Sequence, residues 1–168
     1  YTQSGLVTAN GDSITSLDLA SLGAPVSANT GTYAITAGNA QGNRLDNYDI
    51  SYVNGVLTVN PAQLTITAHD SSKTYGSVFT PTGYTVAGLV TANGDSVTSL
   101  DLSTSGGAAR ADVGSYDILA SNAQGSGLTH NGGSNYIITY VKGTLGVTKK
   151  ALTITGSNVT KTYGDTAA

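Results

Sequence analysis

The sequence predicts a mostly β protein made of small strand-rich domains repeated in series, and three observations carry that prediction. Leu6–Ser13 (LVTANGDS) returns unchanged as Leu89–Ser96, and most of the chain repeats around it. Apolar side chains alternate with polar ones over short runs, the period of a half-buried strand. The 10 acidic residues are all Asp, with no Glu, and a chain rich in Thr, Ser, Asn and Gly favours strands and turns over helices.

In chain order, residues 1–43 align without a gap with residues 84–126. Leu17 and Leu19, with Leu100 and Leu102, mark a first strand. The stretch after Asp12 or Asp95 is expected to hold one helical turn, capped by that carboxylate. Gly31-Thr-Tyr-Ala-Ile35 and Gly114-Ser-Tyr-Asp-Ile118 mark the next strand and lead into Asn-Ala-Gln-Gly at Asn39 and Asn122. Tyr48, Ile50 and Tyr52 then share a face, Asn54-Gly55 offers the positive φ angles of a two-residue hairpin, and Leu57 and Val59 return. The second copy reads Tyr136, Ile138, Tyr140, then Lys142-Gly143, then Leu145 and Val147, after a short insertion near Leu128–Ser134. Leu64, Ile66 and Ala68 supply a further strand, answered by Leu152 and Ile154. The expected core is therefore Tyr33, Tyr48, Tyr52, Tyr116, Tyr136, Tyr140, Leu64, Ile66, Leu152 and Ile154.

The phase of the repeat divides the chain into 1–61, the C-terminal part of one repeat; 62–149, a complete repeat; and 150–168, the N-terminal strand segment of the next. The two end pieces together make nearly one repeat, so neighbours are expected to complete them. A longer covalent array is the preferred source, and separate chains joined head to tail by strand donation are the alternative. The linker Asn60-Pro61-Ala62-Gln63 is short and lacks Gly, which favours a stiff, elongated array.

Charged residues make up only 10% of the 168 and the net charge is -3, which leaves no basic footprint for nucleic acid. Cys, Met and Trp are absent, so thiolate chemistry and thiolate metal sites are excluded. No apolar run approaches a bilayer span, and no membrane insertion is expected.

Recurrence tests each candidate for chemistry, because a structural role should appear in both copies. All ten Tyr recur in pairs, and half-buried packing outweighs an aromatic sugar platform. His69 is answered by Ser157, and His130 lies in the insertion, so neither a zinc site nor a Ser-His-Asp arrangement recurs; catalysis and cofactors are not expected. Asp12 and Asp95 recur beside Asn and Gly and are the residues to consider for calcium, although one carboxylate per turn falls short of its six to eight oxygens. Lys73 and Lys161 read as solvated strand lysines; an amide crosslink would need a buried acid beside them. The loop holding His130, Asn131 and Asn135 is the candidate contact for a glycan or protein receptor.

Lys-Thr-Tyr-Gly (Lys73–Gly76, Lys161–Gly164), Asn-Gly-Asp (Asn10, Asn93) and Asn-Tyr-x-Ile-x-Tyr-Val-x-Gly-x-Leu (Asn47–Leu57, Asn135–Leu145) resemble the "mostly beta grasp" (MBG) and related YDG repeats of large bacterial surface adhesins. The resemblance implies a small β-grasp-like domain repeated along an extracellular or cell-surface stalk, or in a biofilm filament. Its partners would be neighbouring repeats, with glycans or receptors as further candidates. Periodicity alone leaves immunoglobulin-like β-sandwich repeats open as the alternative.

Overall fold

A computed structural model describes residues 1–166. Among the described residues twelve strands form, in order β1 (Ser13–Ala20), β2 (Gly31–Asn43), β3 (Gly55–Val59), β4 (Ala62–Ala68), β5 (Ser71–Thr74) and β6 (Tyr84–Ala87). They continue with β7 (Ser99–Ser103), β8 (Gly114–Gln124), β9 (Thr129–His130), β10 (Gly133–Ser134), β11 (Tyr136–Val141) and β12 (Gly143–Thr148). Helical backbone among the described residues is limited to three 3₁₀ turns of three residues each. The protein is mostly β.

β1–β3 form an N-terminal body, one sheet ordered β1-β2-β3, and β4–β12 form a central body of two packed sheets ordered β11-β4-β6 and β5-β12-β8-β7, with β9 and β10 as a separate two-stranded ribbon. Leu64, Ile66 and Ala68 of β4 and Tyr136 of β11 meet Ile118 and Ala120 of β8 and Leu145 and Val147 of β12 between those sheets. Leu64, Ile66, Ile118 and Leu145 are fully buried. Each such side chain stabilises by roughly 1.5–3 kcal/mol relative to exposure.

Both sheets contain a parallel pair, β4 with β11 and β5 with β12. Two long segments therefore run side by side, β4–β5 and β11–β12, and each bends from one sheet into the other at the same corner. There the Thr144 amide donates to Asp70 Oδ1 at 2.7 Å. A Cβ on Gly143 would lie 2.6 Å from the Ala68 carbonyl oxygen, so the close crossing of the two backbones requires glycine.

This corner corrects the expected hairpin. Gly143 supplies close approach, and neither it nor Gly55 takes positive φ; β11 finds its partner in β4, a long-range parallel strand, and does not fold back on β12. The helical turn is corrected as well. It lies before Asp12 and Asp95, at Thr8–Asn10 and Thr91–Asn93, and each turn ends on a left-handed glycine, Gly11 or Gly94, whose amide donates back to Thr8 or Thr91. Neither carboxylate caps it; β1 begins directly after Asp12, and β7 begins at Ser99, after Ser96–Thr98, which carry no helix.

The two bodies share registers residue by residue. Leu19 faces Ala37 as Leu102 faces Ala120, and Tyr33 faces Leu57 as Tyr116 faces Leu145. Both first strands carry a bulge between a Ser and an Asp, Ser16/Asp18 and Ser99/Asp101. The facing Asn39 and Asn122 take positive φ, and their amides donate to Asp18 and Asp101 at 2.8 and 2.7 Å.

Leu152 and Ile154, expected in the core, are 84% and 87% exposed. Residues 149–166 pair with no strand, so these side chains have the pattern of β4 without its surroundings. Tyr52 and Tyr140 are also corrected. They lie at the surface, 43% and 38% exposed, their hydroxyls accepting from the Ala40 and Ala123 amides beside each bulge at 2.9 Å.

Candidate functional site

Two arrangements gather the polar side chains that the sequence singled out. The first is a tyrosine–aspartate pair in each body. The Tyr48 hydroxyl donates to Asp12 Oδ2 at 2.5 Å and accepts from the Val7 amide at 2.9 Å. Tyr136 does the same with Asp95 and with the Val90 amide. Each pair ties the loop before the first strand to the segment that follows the second, so the recurring Asp is a tertiary tether.

Asp12 is buried, and its Oδ1 has no hydrogen-bond partner. Among the described residues no group of three or more His, Cys, Asp and Glu is assembled. In each pair the phenol takes one carboxylate oxygen, Oδ2.

The Asp12 hydrogen bond holds the Tyr48 phenol above its ordinary pKa, and burial, then the Asp95 bond, does so for Tyr136. A raised folded value means the neutral phenol is favoured by folding. The contribution is therefore present below about pH 10 and is lost as pH rises through the higher folded values. Alkaline titration followed by circular dichroism is expected to show stability falling above about pH 10. Tyr136→Phe should flatten that fall and cost about 1–3 kcal/mol at neutral pH, because Asp95 and the Val90 amide lose a buried partner.

The second arrangement joins the two bodies. Asn135, at the start of β11, accepts from the Thr30 amide through Oδ1 at 3.0 Å and donates through Nδ2 to Asn29 Oδ1 at 2.8 Å and to the Gly127 carbonyl at 2.9 Å. The Thr30 hydroxyl donates to the Ser134 carbonyl at 3.0 Å, and Asn93 Nδ2 donates to the Val26 carbonyl at 3.2 Å. These bonds border a cleft of about 370 Å³ lined by Val26, Asn29, Asn93, Asp95, Asn135 and Tyr136, among others.

Asn135 is thus engaged inside the protein, while His130 and Asn131 stand at the exposed tip of the β9–β10 hairpin, bonded to each other at 3.0 Å. The insertion also delivers Leu128 into the core, 3% exposed. Asn29 and Thr30 do not recur, being replaced by Asp112 and Val113, and recurrence therefore could not find them. Asn135→Ala is expected to lower the stability of the central body by about 1 kcal/mol. It should also broaden the distribution of angles between the bodies, measured by residual dipolar couplings.

Lys73 corrects another expectation. It is buried, and its ammonium donates to the carbonyls of Ser77 at 3.0 Å, Gly107 at 3.3 Å and Ala108. No carboxylate accompanies it, so it pins β5 to the loop after β7.

A family model described as MBG domain (YGX type) matches residues 1–58 and 64–146. Neither a curated protein nor a solved structure matches the chain.

Proposed function

The chain belongs to the MBG domain family, YGX type, a family of structural or adhesive modules often found in surface adhesin-like proteins, and on that premise we propose that it is a structural repeat, a stalk or fibre segment, of a bacterial extracellular adhesin or matrix filament that sets reach and stiffness. The observation that carries the reading is the hydrogen-bonded clasp of Asn135 and Ser134 on Asn29 and Thr30, which fixes one repeat against the next. Reach and stiffness then follow from small cores in series, with stability a sum of unit and neighbour terms. The recurring hydroxyls and carboxylates support a non-catalytic role, since Tyr33, Tyr48, Tyr116 and Tyr136 and Asp12, Asp18, Asp95 and Asp101 make matching internal bonds in both copies. No helix among the described residues is long and apolar enough to cross a membrane.

Small-angle scattering of covalent chains of two, four and six repeats tests this. The maximum dimension should grow in proportion to repeat number, whereas growth with its square root or slower would reject a stiff array. A second reading, in which the loop near residues 125–135 grips a glycan or protein, is favoured by the exposed His130–Asn131 tip. A glycan array separates it from a spacer, for binding lost on His130→Ala would support the tip as a contact.

A further inference from the structure

We infer that the central body is built to resist tension along the chain, its first and last strand segments forming a shear clamp between the points where the polypeptide enters and leaves it. The chain enters at Ala62, the first residue of β4, and leaves after Thr148, the last residue of β12. β4–β5 and β11–β12 run parallel, over six paired positions in one sheet and four in the other. Tension therefore drags β4–β5 backwards by its first residue and β11–β12 forwards by its last. Parallel strands loaded in this way can part only by sliding along each other, and the evenly spaced bonds between them carry the load together. A hairpin pulled from its open end would instead give up its bonds one at a time.

Both ends and the corner of this pair are fastened separately. The Ala62 amide donates to the Asn135 carbonyl at 2.9 Å where load enters, and the Tyr75 amide donates to the Thr148 carbonyl at 2.8 Å where it leaves. The Thr148 hydroxyl adds a bond to the Lys73 carbonyl at 3.1 Å. Between the two runs, at the corner, Asp70 Oδ1 holds the Thr144 amide and Gly143 packs on the Ala68 carbonyl. Each segment is also tied to the body on its far side. β4 pairs with β6 and β12 with β8, and the Lys73 ammonium anchors β5 through the Ser77, Gly107 and Ala108 carbonyls. Partial sliding offers no escape, because a one-residue slip in register would turn the buried Leu64 and Ile66 away from Leu145 and Val147. The clamp therefore gives way all at once.

The inference rests on the proposed function only in taking tension to run along the stalk. Its test is separate, because a flexible array can hold strong clamps and a stiff one weak clamps. The chain has no Cys, so handles for single-molecule pulling can be placed on chosen exposed residues of the 168-residue chain. Asn60→Cys with Lys149→Cys loads the two segments in shear. Asn60→Cys with Asn131→Cys pulls from one end of the pair, since Asn131 lies shortly before β11, and peels it. The shear geometry should yield in one step at severalfold higher force than the peeling geometry, releasing about 3.3–3.6 Å for each residue of 62–148. Forced unfolding reads the barrier and not the equilibrium stability, so variants separate the clamp from the fold. Asp70→Ala, and independently Thr148→Val, should lower the shear force and leave the peeling force unchanged. Equal forces in the two geometries, stepwise release in shear, or variants that lower both forces alike or neither would overturn the proposal.

Discussion

Replacing Ile66 by alanine is expected to destabilise the central body by about 2–5 kcal/mol, whereas Ile154→Ala, the same residue at the same repeat position, should change stability by no more than about 0.5 kcal/mol. Ile66 is fully buried between two sheets, and its loss leaves a cavity lined by side chains that cannot collapse onto it; Ile154 is 87% exposed and loses only solvent contacts. A small domain's net stability is about 5–15 kcal/mol, so the first change removes a large fraction of it. Denaturant titration of both variants beside wild type checks the pair. Equal losses would mean that the tail is packed in the free chain, contrary to the structure.

The second large effect concerns Lys73. Lys73→Met keeps most of the apolar stem but leaves the Ser77, Gly107 and Ala108 carbonyls without their common donor. Hydrogen bonds to a charged group contribute about 1.5–3 kcal/mol, and the loss expected is of that size. An opposing effect exists, since an ammonium leaves water at a cost when buried. Three carbonyl acceptors around one ammonium decide the sign, because methionine relieves the desolvation but orphans all three. Lys161→Met should be near neutral in the isolated chain, its side chain being exposed with a single carbonyl at 3.3 Å. Chemical unfolding with a fitted m-value distinguishes a true stability change from a change in the unfolded state.

How much of this was legible varies by residue. Alternation marked Leu64, Ile66, Leu145 and Val147 as inward-facing because a strand's side chains take opposite sides whatever it pairs with. Alternation could not say that Lys142-Gly143 is a corner, since a glycine needed for close approach reads like one needed for positive φ. The pairing of β4 with β11 spans more than seventy residues, and no local signal carries it. Recurrence identified Asp12, Asp95, Asp18 and Asp101 as structural and left their partners open. It missed Asn29 and Thr30, because a contact between unlike neighbours does not recur, and it misjudged Lys73, because a cage of carbonyls belongs to the backbone and leaves no trace in side-chain identity.

By itself the sequence determined that the protein is mostly β, where its repeats fall and which face of each strand is apolar, because those properties follow from composition and from the two-residue period of an extended chain. Tertiary structure alone decided which copy of an apolar segment is a core and which is bare surface. Leu64 and Leu152 carry the same side chain in the same local pattern, yet one is fully buried and the other 84% exposed. Burial depends on what lies opposite, and only the first has two sheets closing over it.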